Sequence, residues 1–197
     1  MMRILVITDV PFTATEPAAI RQLLDEGVER VHLRKPDASE EALRRLIEAL
    51  PAECYPRLTL QDRLPLAVEY GLGGVHLNRR NAAVPAGFRG LVSRSCHTLD
   101  EIAAHPACDY LFLSPIFDSI SKEGYRSAFT PSVLRDAAAR GLLGRRVAAL
   151  GGVRPELLPA LRDYGFGGAA LLGCIWRDTT PAGLQATLKR IHEYNID

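Results

Sequence analysis

A short β-rich run followed by an amphipathic stretch recurs along the whole chain, and no other feature narrows the fold as much. "RILVITD", Arg3 to Asp9, precedes a helical pattern from about Glu16 to Glu26 that stops at Gly27, as glycine commonly stops helices. "RVHLR" precedes "SEEALRRLIEAL", where Ser39 is placed as an N-cap and the apolar residues recur at helical spacing. "RLTLQ" comes before "RLPLAVEYG", "GVHLN" follows, and "GLVSRSC" leads into "TLDEIAAH". "YLFLSP" leads through a polar segment to "TPSVLRDAAARG". "RVAALGG" precedes "RPELLPALRDYG", and "GGAALLG" precedes a terminal helix from about Pro181 to Tyr194. Eight strands result, nearly all followed by a helix; the fourth helix, in "NRRNAAVPAGF", is the weak one. Parallel strands need crossovers, and eight βα units predict a compact (β/α)8 TIM barrel filling residues 1–197 as one domain. A flavodoxin-like open sheet would need fewer strands.

Composition limits the partners. With 24 Lys+Arg against 23 Asp+Glu the net charge is +1, so no global basic field points to nucleic acid or a membrane surface. Any charged ligand must be held locally. Residues 1–9 show neither a secretory signal nor a bilayer-length span, and the expectation is a cytoplasmic chain. Cys54, Cys96, Cys108 and Cys174 lie far apart with no C-x-x-C pair, which predicts reduced thiols and no zinc site.

Barrel chemistry gathers at the carboxyl ends of the strands. Here those ends carry Thr8 and Asp9, Arg34 and Lys35, Gln61 to Arg63, Asn78 to Asn81, Ser93 to His97, Ser114 to Lys122, Gly151 and Gly152, and Gly173. Glycines after strands seven and eight expose backbone amides suited to a phosphate, though they also serve tight turns. Of the neighbours Arg34 and Lys35, one should point into the barrel and the other across the rim, where a guanidinium suits phosphate oxygens. Asp62 could ligate magnesium or cap a helix. His97 could act as an acid or base but more commonly orients a neighbour; Thr98 with Glu101 makes a capping box. Ser119, Ser121 and Lys122 lie on a segment too long for a tight βα turn, with the composition of a polyanion-gripping lid.

In order and spacing, "VITD", "VHLRK", "LQDRLPLA", "GVHLN", "SCHTLDE", "SPIFDSISK", "ALGGV" and "LLGCIW" resemble the thiamine phosphate synthase and thiazole tautomerase family, from about Ile4 to about Trp176. The resemblance implies a (β/α)8 barrel that joins 4-amino-5-hydroxymethyl-2-methylpyrimidine diphosphate to thiazole phosphate, with Mg2+ and release of pyrophosphate. It implies that Arg34 and Lys122 contact pyrophosphate, that Asp62 and the position of Asn81 hold magnesium, and that Ser95 lies beside the reacting pyrimidine or its leaving group. Ser119 and Ser121 would meet the thiazole, and Gly151, Gly152, Leu172 and Gly173 its phosphate. Lys35, Gln61, Arg63, Asn78 and His97 complete the expected substrate-binding rim.

This chain departs from that pattern at several positions. Arg34 is followed by Lys35 and Pro36 instead of an acid and then a lysine, Gln61 stands for an asparagine, and Asn81 stands for a second metal-binding aspartate. Arg79 and Arg80 are candidates to bind phosphate directly. Pro115 occupies the place of the tautomerase histidine, so that activity would need His97 or His32 as a substitute. A silent barrel binding thiamine phosphate or its precursors is the third reading. Partners are small phosphorylated molecules, with a homodimer left open.

Overall fold

In a computed structural model describing residues 1–117 and 129–196, the eight apolar runs are strands. They are β1 Arg3–Ile7, β2 Arg30–Leu33, β3 Leu58–Leu60, β4 Gly74–Leu77, β5 Leu91–Cys96, β6 Tyr110–Leu113, β7 Val147–Ala149 and β8 Gly168–Leu171. Each pairs in parallel with the next, and β8 pairs with β1 to close the barrel. The helices are α1 Glu16–Asp25, α2 Glu40–Glu48, α3 Pro65–Glu69, α4 Leu99–Ala104, α5 Pro131–Ala139, α6 Leu158–Asp163, α7 Gly173–Trp176 and α8 Pro181–Tyr194. The weak fourth helix is absent: residues 78–90 run from β4 to β5 as turns. None of the described helices is long and apolar enough to cross a membrane.

Local chemistry sets the helix ends. Ser39, Thr98, Thr130 and Thr180 each accept a hydrogen bond from the backbone N–H three residues on, satisfying a donor that the helix leaves unpaired. On α8, Leu184, Leu188 and Ile191 share one buried stripe. Asn195, just beyond, donates to the Met2 carbonyl and accepts from the Met2 N–H, both at 3.0 Å, tying α8 to the start of β1.

Strand alternation sorts side chains into two cores. One face, including Val31, Leu33, Leu60, Val75, Leu111 and Leu171, packs under the helices. The other fills the barrel, and its filling is uneven. Leu5, Ile7, Tyr110, Phe112, Ala148 and Ala170, from β6 to β8 and β1, form an apolar wall. The strands β2 to β5 contribute Arg30, His32, Thr59, His76 and Ser93, all buried. Arg30 plugs the lower end, donating to the carbonyls of Pro56 and Leu58 and to Thr59 Oγ1. The two imidazoles lie edge to face, 5.3 Å apart, each about 5 Å from the Phe112 ring.

Burial, ahead of neighbouring charge, drives His32 well below its ordinary value and His76 down to about 3, so both are neutral. The unfolded chain protonates both rings below about pH 6.5, while the folded chain leaves His76 neutral until near pH 3. Stability therefore falls as pH drops through that window, by about 1.4 kcal/mol per pH unit for His76, with His32 acting in the same direction. Urea unfolding across the window should show this slope, shallower in His76→Gln; an identical slope in the variant contradicts the assignment.

Candidate active site at the carboxyl ends of the strands

Thr8, at the end of β1, receives the Arg34 N–H on Oγ1 at 2.9 Å and fixes the exit of β2. Arg34 follows the inward alternation of Arg30 and His32 and is half-buried. Lys35 takes the opposite direction, and its expected place on the substrate rim is corrected. It is 1% exposed, and its ammonium donates to the carbonyls of Asp9 and Pro11 and to Glu16 Oε2, with Glu16 Oε1 at 2.7 Å. An ammonium has three hydrogens, and three acceptor groups take them. Burial raises the Glu16 carboxyl's pKa against the lowering effect of Lys35. The pair is an internal strut between the β1 exit and β2.

A polar column rises through the barrel to Ser95. Ser93 donates to the Val75 carbonyl and lies 2.8 Å from His76 Nδ1, while Ser95 Oγ lies 2.7 Å from His76 Nε2. With the Ser93 hydrogen committed, His76 Nδ1–H donates to Ser93 and Nε2 accepts the Ser95 hydrogen. This proton placement is assigned from the partners. Ser95 then presents oxygen lone pairs to the barrel mouth. The second histidine is held likewise: Gln61 Nε2 donates to His32 Nδ1 at 3.2 Å, which leaves His32 Nε2–H to donate to Tyr110 Oη at 2.7 Å. Gln61 thus faces into the barrel. His97 donates from Nδ1 to the Ser114 carbonyl at 3.0 Å, steadying the exit of β6. Burial pushes the Cys96 thiol up to about 12, so it supplies no thiolate.

Between β3 and β4 lies a knot of amides and charges. Asn78 Oδ1 accepts from the N–H groups of Arg80 and Asn81, and its Nδ2 donates to the Gln61 carbonyl. Its expected role in substrate binding is corrected, because both ends of its amide hold the turn. Asp62 is almost buried; its Oδ2 accepts from the Lys35 N–H at 3.0 Å. Its Oδ1 accepts from Arg80 Nη2 at 2.9 Å and Nε at 3.3 Å, and from Asn81 Nδ2 at 3.4 Å. Arg63, with φ 52°, turns back and donates to the Ala38 carbonyl. Its guanidinium braces the segment before α2 and borders the same cleft as Asp62 and Arg80.

After β7, Gly151 has φ 92°, and a Cβ there would lie 2.8 Å from Pro115 Cα, so close backbone approach demands the glycine. Gly152 also has positive φ. Gly173 is different: a Cβ there would meet nothing within 4 Å. Space is open beside the first turn of α7, which starts after Leu172 with no side-chain cap and so presents backbone N–H groups. Trp176 Nε1 donates to the Ile7 carbonyl at 2.7 Å and fixes that turn to β1. Ser119, Ser121 and Lys122 lie outside the described residues.

Residues 4–175 match the family model described as thiamine monophosphate synthase. The chain belongs to that family. A thiamine-phosphate synthase of Rhodospirillum centenum is 30% identical over 181 residues, covering 85% of this chain and 86% of that protein. Another, from Parasynechococcus marenigrum, is 33% identical over 82% of this chain but only 48% of its own length. The crystal structure of a thiamine phosphate pyrophosphorylase from Bacteroides thetaiotaomicron superposes with a TM-score of 0.87 at 32% identity, covering 98% of this chain and 97% of that one.

The magnesium that membership of the thiamine monophosphate synthase family implies does not fit the donors present. Mg2+ wants several oxygen ligands in octahedral array, commonly one or two carboxylates with phosphate oxygens and waters. Among the described residues Asp62 is the one carboxylate in this knot; both its oxygens accept hydrogen bonds, Asn81 turns an N–H toward it, and a guanidinium already sits on it. Among the described residues no three His, Cys, Asp or Glu side chains gather where a metal could bind. The expected Asp62 and Asn81 metal pair is corrected accordingly. Reading the sequence missed His76, Glu16 and the Arg80–Asp62 pair. Inward alternation in "GVHLN" is a signal that could have found His76; Glu16 has no signal near Lys35 in sequence.

If Lys35 is a strut, Lys35→Met should lower unfolding free energy by about 3–5 kcal/mol, because it leaves Glu16 buried and unpaired. Pyrophosphate affinity of the folded variant should stay within about twofold. Urea unfolding and calorimetry separate these outcomes; a selective loss of pyrophosphate binding would place Lys35 in the substrate site instead.

Proposed function

We propose that the chain is a thiamine-phosphate synthase-type transferase, joining the pyrimidine diphosphate to thiazole phosphate and releasing pyrophosphate. One observation carries this: the family match from residue 4 to 175 takes in all eight strand ends, where barrel chemistry is built.

The chemistry agrees with the groups on the rim. The pyrimidine carbon–oxygen bond breaks with its electron pair leaving on pyrophosphate, and the thiazole nitrogen lone pair captures the resulting carbocation. No net proton transfer is needed, so it is no obstacle that His32 and His76 are too depressed in pKa to act as bases at neutral pH. What the step needs is stabilisation of separating charges. Arg34 faces the leaving pyrophosphate. Ser95, its hydrogen drawn to His76, offers lone pairs to the pyrimidine amino group and the electron-poor ring. The uncapped turn at Leu172 and Gly173, with Gly152, receives the thiazole phosphate.

Purified protein with both substrates should form thiamine phosphate above a no-enzyme control. Ser95→Ala should lower kcat by roughly ten- to a hundredfold while leaving the fold intact, the loss expected for one well-placed polar contact. No product from folded wild-type protein rejects the transferase reading, and an unchanged kcat in Ser95→Ala rejects the role given to that hydroxyl.

A further inference from the structure

The mismatch at Asp62 is a construction rather than a simple loss. Its carboxylate is 6% exposed and the Arg80 guanidinium 49% exposed, so the pair runs from the interior of the rim to its open face. The Asn78 turn sets the cation's direction, since Asn78 Oδ1 accepts the Arg80 N–H at 2.9 Å and the backbones of Asn78 and Asn81 bond reciprocally. A guanidinium carries five N–H donors. Nε and one Nη2 hydrogen face Asp62, leaving three with no partner among the described residues. These groups line an open cleft of about 590 Å³ together with Arg63 and Pro36. The acid bordering it, Glu40, is paired with Arg44 at 2.8 Å and does not compete for Arg80.

One carboxylate with one guanidinium sums to zero charge, as do two carboxylates with a divalent ion. A divalent ion approaching Asp62 would have to displace Arg80 against like-charge repulsion, whereas a diphosphate meets N–H donors already oriented by a buried anchor.

We propose that Arg80, anchored on Asp62, is a built-in cation that takes the place of the divalent metal, so that the diphosphate site of this chain works without magnesium. The proposal rests on the transferase reading for the identity of the diphosphate, but its test does not depend on turnover. The full chain is titrated with inorganic pyrophosphate by calorimetry, once in EDTA and once with magnesium. Binding is expected in EDTA, with magnesium tightening it by no more than about twofold. Arg80→Ala should weaken binding in EDTA by roughly ten- to a hundredfold, as expected when a charge-assisted contact is lost, and Arg80→Lys should recover part of it. Manganese paramagnetic resonance should show no bound ion in the wild type and a bound ion in Arg80→Ala/Asn81→Asp.

Pyrophosphate binding only with magnesium, or manganese bound to the wild type and lost in Asp62→Asn, overturns the proposal. So does absence of pyrophosphate binding under both conditions. If thiamine phosphate still forms in any of these cases, the transferase reading stands and only the built-in cation falls. If pyrophosphate binds in EDTA through Arg80 but no thiamine phosphate forms, the reverse holds.

Discussion

Closing eight parallel strands into a barrel leaves alternate side chains of every strand with nowhere to go but a narrow interior that water does not fill. Apolar residues meet that constraint on β6 to β8 and β1, while β2 to β5 supply histidines, a glutamine, serines and an arginine. Polar groups there are tolerable only if each finds a partner. Gln61, His32 and Tyr110 make one chain of hydrogen bonds, and Val75, Ser93, His76 and Ser95 make the other. Both chains end at the mouth of the barrel. The groups that face a substrate are therefore the upper ends of internal networks, and their orientation is set from below.

The beat of strands and helices was legible because its causes are local: alternation, caps and glycine stops act within a few residues. Even the missing fourth helix was visible in "NRRNAAVPAGF". The rim was legible only as a catalogue of chemistry. A lysine at a strand end can turn outward under a loop, and what captured Lys35 was Glu16, 19 residues earlier, with two carbonyls of the β1 exit. Asn78 was absorbed by backbone in the same way. Residue type says what a group could bind; the loop path says what it does bind.

Asp62 shows how one position can change meaning without changing identity. Its backbone setting and burial suit a metal-facing acid, yet Arg80 and the Asn81 amide surround it with hydrogen donors. On the proposal above, covalently attached positive charge takes the part of a mobile ion. A fixed cation cannot depart with the product, so release of pyrophosphate must break its hydrogen bonds to the protein instead of carrying an ion away.

Trp176 is the one tryptophan of the chain, and its indole donates to the carbonyl of Ile7, the last residue of β1, beside the seam where the first and eighth strands meet. That seam joins residues far apart in sequence and is the long-range closure on which the barrel depends. The indole N–H also fixes the turn beside open space at Gly173. Its emission is thus a natural optical gauge with two scales: large changes report whether the ring of strands is shut, and small ones report what has settled at its mouth.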